Sequence, residues 1–194
     1  MAHQRAFPVA CVIVGAGAGK RFGAPKAGAR LPDGRRFVDA VAATARDAGL
    51  SPIVAVLPPS IEAPPGADVA RNPNPDSEQV TSVRLGLSRL ANATVVGALV
   101  WPVDHPFVTL ESVLAILDGA RRSGAPVVVP DHHGRRGHPV FFHRDTWREV
   151  LTVADGGARA VVRAYGAAVC AVAVADGGVL RNVDTRAALD SSPD

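Results

Sequence analysis

A short glycine-rich and basic stretch contains the residues with the clearest chemical potential. Four glycines between positions 15 and 23 lack side chains, so that backbone N–H groups can come close to a ligand. Consecutive N–H groups of this kind form a concave site for anions. Three cations stand among or just after the glycines, and Pro25 stiffens the approach to the last one. The stretch therefore predicts a polyphosphate-binding loop, with the candidate residues Val14, Gly15, Ala16, Gly17, Gly19, Lys20, Arg21, Gly23 and Lys26.

Two better-known phosphate-binding motifs do not fit this stretch. The dinucleotide motif G-x-G-x-x-G needs glycine at Lys20 when it starts at Gly15, and at Phe22 when it starts at Gly17. The mononucleotide P-loop G-x-x-x-x-G-K-[ST] could place its Gly-Lys pair at Gly19 and Lys20. Valine then stands at its first glycine position, and arginine stands where it needs a hydroxyl group. The sequence therefore predicts a third kind of phosphate loop.

Asp104 follows an apolar run, TVVGALVWPV, that predicts a buried strand. Ligands of open α/β sheets bind beyond the carboxyl ends of strands, so this aspartate would lie beside the glycine loop if the two strands are neighbours. A carboxylate next to a polyphosphate needs a divalent cation between them, because like charges repel. Asp104 is therefore the first candidate Mg²⁺ ligand, and capping of a helix that begins near Leu110 is the alternative.

The segment DHHGRRGHPVFF, residues 131–142, is the most polar part of the chain. Its three histidines have neither a cysteine partner nor an H-E-x-x-H helix, and its glycines indicate a flexible loop, which disfavours zinc. Guanidinium groups match the geometry of phosphate oxygens. We therefore predict a substrate loop that binds a phosphate or another anion through Arg135, Arg136 and His138.

Apolar runs alternate with helix-like segments along the chain, which predicts an α/β fold with a mostly parallel sheet. Residues 9–14 form a β-branched run typical of a strand buried on both faces. Phe37, Val38, Val41 and Ala45 recur at helical spacing before Gly49, which can end the helix. A length of 194 residues with 47% hydrophobic content fits one domain over residues 1–194.

The composition of the chain limits where the protein can be located and which partners it can bind. No apolar run approaches the ~20 residues of a membrane helix. Pro8 interrupts the apolar start, which leads into the glycine loop, so we do not expect a secretory signal. Cys11 and Cys170 lie in strand-like runs and indicate neither a disulfide framework nor a metal site. A net charge of only +3, scattered arginines and 5% aromatic residues disfavour nucleic acid. We expect a cytoplasmic protein.

The motifs resemble those of the MobA-like NTP transferases. The family's first motif corresponds to Val14-Gly15-Ala16-Gly17, Arg21-Phe22-Gly23 and Lys26, with Gly15, Gly19 and Phe22 in place of the usual Ala, Ser and Met. Its Asp-x-Pro and Gly-His-Pro motifs correspond to Asp104-His105-Pro106 and Gly137-His138-Pro139. The motifs keep the family's order over nearly the whole chain. The resemblance implies a single nucleotidyltransferase-like domain with a Rossmann-like three-layer α/β/α sandwich.

Further roles come from the resemblance alone. Asn72, Ser82 and Gly86 would lie by the base and sugar of a nucleotide. Asp184 would be a second metal ligand, with helix capping as the alternative. Asn182 stands where the family has an aspartate, which would weaken the metal site or remove an outer partner.

The resemblance implies a Mg²⁺-dependent nucleotidyltransferase that moves a nucleoside monophosphate to a phosphorylated acceptor such as molybdopterin and releases pyrophosphate. Ala16 favours CTP as the donor, with GTP as the other choice, and a molybdoenzyme would be a further partner. Arg21, Lys26 and Asp104 would be the catalytic residues.

Two alternatives stay open at this point. A nucleotide- or cofactor-binding carrier on the same fold would explain the departures from the family pattern at Gly19, Glu78 and Asn182. A Rossmann reductase would bind NAD(P)H.

Overall fold

The strands form one mixed sheet in the computed structural model, which describes residues 6–74, 76–154 and 157–190. They are β1 (Val9–Val14), β2 (Ile53–Leu57), β3 (Asp68–Arg71), β4 (Gly97–Pro102), β5 (Val127–His132), β6 (Arg135–Arg136), β7 (Val140–His143) and β8 (Val169–Ala173). Their order across the sheet is β3-β2-β1-β4-β7-β5-β6, and β8 also pairs with β5. Neighbouring strands run parallel from β3 to β4 and between β5 and β8. The predicted mostly parallel sheet is confirmed.

Strand β7 is the main exception to the parallel arrangement, because it lies antiparallel between β4 and β5. A second antiparallel pair joins β5 to the short β6. The turn between these two strands consists of His133 and Gly134, whose φ angles are 52° and 79°. Two positive φ angles in a two-residue turn match the twist of a tight hairpin. The polar segment predicted as a flexible loop therefore begins as a hairpin, here called the β5–β6 hairpin (residues 127–136).

The helices are α1 (Phe37–Asp47), α2 (Gln79–Arg89), α3 (Leu110–Ser123), α4 (Trp147–Thr152), α5 (Gly157–Tyr165) and α6 (Ala187–Asp190). Helices α1 and α3 pack on one face of the sheet, and α2, α4 and α5 pack on the other. Alternate residues of β1 serve the two faces, since Cys11 and Ile13 belong to one core cluster while Val12 and Val14 belong to the other. This arrangement is the expected three-layer α/β/α sandwich. No helix in the described part of the chain is long and apolar enough to cross a membrane.

The carboxyl ends of β1 and β4 lie side by side. Val14 is in register with Pro102, and the backbone N–H of Val103 donates to Val14 O at 2.9 Å. On the other side, the N–H of Gly15 donates to Val56 O at 2.9 Å. The two strands are neighbours, which was the condition of the sequence prediction, and the glycine loop after β1 and the aspartate after β4 therefore leave the sheet side by side.

Candidate active site

The glycine loop is shaped by its own backbone. Gly19 has φ +60°, and the N–H groups of Phe22 and Gly23 both donate to its carbonyl oxygen at 2.8 Å. A Cβ atom at this position would lie 2.0 Å from Ala24 O. Gly19 departs from the usual serine of the resembled family, but this loop conformation itself requires glycine.

The glycine loop forms one wall of a cleft of about 390 Å³, here called the loop cleft. The cleft brings together most of the predicted residues, namely Val14, Gly15, Ala16, Gly17, Gly19, Lys20, Arg21, Lys26, Ser82, Asp104 and Asp184. Ser77, Gln79 and Val103 also line it, and no motif in the sequence assigns them to the site. Asn182, which stands where the resembled family has an aspartate, lines it as well. Lys20 lies at the rim, where it pairs with Asp76 at 2.7 Å with 77% of its side chain exposed.

Four charged side chains meet in the loop cleft. Lys26 Nζ lies 3.0 Å from Asp104 Oδ2 and also contacts Asp184 Oδ1. The guanidinium group of Arg21, whose side chain is largely exposed, lies 2.9 Å from Asp184 Oδ2. Asp104 and Asp184, which follow Lys26 in the sequence by 78 and 158 positions, thus both contact its ammonium group.

The carboxylate of Asp104 is held in its ionised form. Burial alone would raise the pKa of this group, but hydrogen bonds from His105 and Lys26 and the charge of Lys26 outweigh it and lower the pKa to about 2. An ionised carboxylate only accepts hydrogen bonds, so the contact of 3.2 Å with His105 places the proton on Nδ1 of that ring. The ring is buried, and the indole Nε1–H of Trp101 donates to the His105 carbonyl at 3.1 Å. Asp104 is therefore oriented from the core side.

Asp184 is positioned by the backbone of the C-terminal segment. The N–H of Val183 donates to the carbonyl oxygen of Asp104 at 2.8 Å, and Val183 itself is fully buried. This link fixes the two aspartates next to each other although they are far apart in sequence.

Three predicted nucleotide-binding residues lie outside the wall of the loop cleft. Asn72 is buried, and its Nδ2 donates to Ser77 Oγ at 2.8 Å and to Ser82 Oγ at 3.0 Å. It therefore supports two hydroxyl groups of the cleft from behind. Gly86 packs on β1, where a Cβ atom would lie 2.2 Å from Val12 Cγ1, so the glycine allows α2 to approach the sheet. Gly23 has φ +84° and lies in the turn that ends the glycine loop.

A second and larger cleft of about 890 Å³, here called the arginine cleft, adjoins the first. Its floor is apolar, with Val80, Val100, Val129, Val140 and Phe142 among its residues. The predicted acceptor residues Arg135, Arg136 and His138 line it, as does Glu78, which does not line the loop cleft. Gln79, Asp104 and Asn182 line both clefts, so the two spaces meet at the aspartate that follows β4.

Arg159 and Arg163 of α5 also line the arginine cleft, and neither is among the site residues predicted from the sequence. They lie four residues apart and so on one side of the helix. That α5 lines the same cleft as the hairpin arginines depends on where the helix packs.

His138 contributes a polar ring to the arginine cleft. It meets His105 edge-on with 4.9 Å between ring centroids, and its Nδ1 is buried without a partner in the described residues. Burial and the neighbouring His105 lower the pKa of His138 to about 4, so the ring is neutral at physiological pH. The neutral ring therefore lines the cleft without adding to its positive charge.

Two carboxylates, those of Asp104 and Asp184, are the groups of the loop cleft that could bind a metal ion. Within residues 6–74, 76–154 and 157–190, no group of three or more His, Cys, Asp or Glu side chains could hold a metal. Asp104 and Asp184 nevertheless face one common cation, the Lys26 ammonium. Mg²⁺ is commonly bound by one or two carboxylates, substrate phosphates and waters. The pair therefore fits a cation that arrives with a polyphosphate.

Comparison with known proteins gives a family and a set of similar folds. The family model described as MobA-like NTP transferase domain matches residues 11–169. Rv0371c from Mycobacterium tuberculosis H37Rv is 25% identical with a TM-score of 0.81, over 96% of this chain and 100% of that chain. The manganese complex of Rv0371c is 24% identical with a TM-score of 0.73, over 93% and 95% of the two chains.

An enzyme of known activity has a similar fold. The 2-C-methyl-D-erythritol 4-phosphate cytidylyltransferase from Thermus thermophilus is 22% identical with a TM-score of 0.72, over 94% of this chain and 96% of that chain. No curated protein matches the sequence.

Proposed function

The chain belongs to the family of MobA-like NTP transferase domains and is a nucleotidyltransferase, and from this premise we propose that it transfers CMP from CTP to a phosphorylated acceptor with the help of Mg²⁺. Pyrophosphate is the second product. Ala16 favours CTP over GTP through the resemblance of the first motif, and the same resemblance names molybdopterin as the acceptor. In this proposal a molybdoenzyme receives the product, and the protein works in the cytoplasm. Residues 1–194 act as a single functional domain.

One observation carries the proposal: two clefts of different character meet at Asp104. The loop cleft offers backbone N–H groups and cations, which suit the triphosphate of the donor. The arginine cleft combines an apolar floor with guanidinium groups, which suits an acceptor with an apolar body and a phosphate. A transferase needs both substrates to meet, and Asp104 lies where they would.

The transfer itself is a displacement at phosphorus. An oxygen of the acceptor phosphate attacks the α-phosphorus of CTP, a new P–O bond forms, and the bond to the bridging oxygen breaks, so that pyrophosphate leaves with the electron pair. The attacking phosphate is already ionised, so no general base is needed. Positioning and charge neutralisation then supply most of the rate enhancement.

The chain's own residues supply these two effects. Lys26 and Arg21 offset the negative charge of the triphosphate, and the N–H groups of the glycine loop hold it in one orientation. Asp104 and Asp184 would hold Mg²⁺, which when bound neutralises charge on the phosphate oxygens. His105 donates to Asp104 and fixes the direction of its carboxylate. Arg135, Arg136 and His138 hold the acceptor in the adjoining cleft.

The decisive experiment measures pyrophosphate release from CTP or GTP with Mg²⁺ and molybdopterin. We expect acceptor-dependent release with CTP, and a fall of ~10²-fold or more in Asp104→Asn, because transition-state charge stabilisation by a metal is worth several kcal/mol. The variant should still bind CTP, since the amide keeps the shape of the side chain. Asp118→Asn changes a half-exposed acid of α3 that pairs with Arg122 at 2.9 Å and lines neither cleft; it is the matched control and should behave as wild type.

The same assay separates transfer from simple binding. CTP binding without pyrophosphate release from any donor and acceptor would refute the transferase proposal and favour the carrier. A small effect of Asp104→Asn with an unchanged Mg²⁺ requirement would remove Asp104 from the metal site.

A further inference from the structure

Lys26 stands where a cation between the two aspartates would be expected. Its ammonium group contacts Asp104 Oδ2 and Asp184 Oδ1 together, and only 15% of its side chain is exposed. The carboxylates are 22% and 27% exposed, so solvent and salt screen this cluster less than a surface ion pair. Each aspartate thus already has a positive partner inside the loop cleft.

The charges of the cluster balance. Asp104 and Asp184 face Lys26 and Arg21, so the formal charges of these four side chains cancel. A free divalent cation gains little attraction from a neutral cluster and would also have to displace the ammonium from both carboxylates. A bound triphosphate changes this balance, because it brings several negative charges into the same cleft.

Lys26 can reach such a triphosphate by moving its side chain alone. The residue lines the loop cleft together with the glycine loop. Its backbone begins a short 3-10 turn, Lys26–Gly28, in which the Ala29 N–H donates to the Lys26 carbonyl at 3.0 Å. The four-carbon stem of lysine is flexible and its ammonium has three rotatable donors. The fold can therefore stay fixed while the charge changes partner.

We propose that Lys26 holds the cation position between Asp104 and Asp184 until a triphosphate draws it away, so that the divalent cation enters with the nucleotide and not before it. The inference rests on the proposed metal-dependent transfer, which it extends to the order of binding. Lys26 thereby has two successive roles, first as an internal counter-ion of the aspartates and then as a ligand of the phosphates.

The test measures Mn²⁺ binding by electron paramagnetic resonance in the absence of nucleotide, so that it does not depend on turnover. Wild type is expected to bind Mn²⁺ weakly. Lys26→Met, which removes the charge and keeps much of the stem, is expected to bind it at least ~10-fold more tightly, because the cluster gains a full negative charge. Lys26→Arg keeps the charge and should remain close to wild type. Arg122→Met is the control, because Arg122 pairs with Asp118 at 2.9 Å on the surface of α3 and lines neither cleft.

Two results locate the ion and separate this inference from the proposed function. Adding Asp104→Asn to Lys26→Met should abolish the tight Mn²⁺ binding; if it persists, the ion lies elsewhere and the inference is wrong. It is equally wrong if Lys26→Met binds no more tightly than wild type. Tight Mn²⁺ binding by nucleotide-free wild type refutes it even if the variants fail to fold. Absence of pyrophosphate release, in contrast, refutes only the transferase proposal.

Discussion

At the scale of single residues, the glycines of the loop differ in what they do. Gly19 combines a left-handed backbone with a contact of 2.0 Å between a would-be Cβ and Ala24 O. A Cβ at Gly17 would meet nothing within 4 Å, and its backbone is not left-handed. Gly19 is therefore needed by the loop itself, whereas the freedom around Gly17 leaves room for a ligand.

We predict that Gly19→Ala lowers both the melting temperature and the affinity for CTP. The left-handed conformation costs alanine about 1–2 kcal/mol, and the clash with a backbone oxygen adds to it. For a chain of this size, each kcal/mol lowers Tm by roughly 2–4 °C. Thermal unfolding with and without CTP measures both effects. Gly17→Ala is the control and should melt as wild type does; an unchanged Tm in Gly19→Ala would show that the loop tolerates a side chain there.

At the scale of elements, α5 and the β5–β6 hairpin both line the arginine cleft. Arg159 and Arg163 come from the helix, and Arg135 and Arg136 come from β6. Among the described residues, none of these four guanidinium groups pairs with a carboxylate. Positive groups that converge from two elements without an acidic partner are well placed to take an anion from the acceptor.

We predict that Arg159→Ala combined with Arg163→Ala raises KM for the acceptor ~10-fold or more and leaves CTP affinity unchanged, since a hydrogen bond to a charged group is worth about 1.5–3 kcal/mol. Arg135→Ala with Arg136→Ala should act in the same direction. Steady-state kinetics with each substrate varied in turn make the comparison.

The matched control is Arg148→Ala, an exposed arginine of α4 that lines neither cleft. An equal loss of acceptor and nucleotide binding would mean that α5 does not belong to the acceptor side.

At the scale of the whole molecule, His138 couples the stability of the fold to pH. The backbone N–H of His138 donates to Val179 O at 2.9 Å, and its ring is packed against His105, with Asp104 and Arg159 as further charged neighbours. Burial lowers its pKa from the usual 6.5 to about 4, and His105 acts in the same direction. The unfolded chain therefore binds more protons than the folded chain between these two values.

We predict that the free energy of unfolding rises as pH increases from 4 to 6.5, by at most about 3 kcal/mol from this residue. His138→Gln removes the titration and should flatten the profile in that window. Asp104 acts in the same direction but at lower pH, because its pKa falls from 3.8 to about 2. Urea unfolding across the pH range tests this; superimposable profiles of variant and wild type would contradict it.

Local patterns in the sequence determined the strand at Val9–Val14, the glycine loop and the aspartate that ends a buried run. Each of these signals lies within a few consecutive residues, where backbone preferences and burial act directly. The sequence predicted the side-by-side exit of the loop and Asp104 only on the condition that their strands are neighbours, and the pairing of β1 with β4 in the folded sheet met that condition.

Tertiary structure alone decided the rest. The antiparallel insertion of β7, the burial of Asn72 behind two serines and the meeting of α5 with the hairpin arginines all depend on strand order and helix placement. The contacts of Lys26 with Asp104 and Asp184 span 78 and 158 residues of sequence. No local pattern encodes such a pair, because its energy depends on distances that exist only once the sheet has formed. The sequence thus determined which groups could bind phosphate and metal, and the fold decided that a lysine joins the two acids.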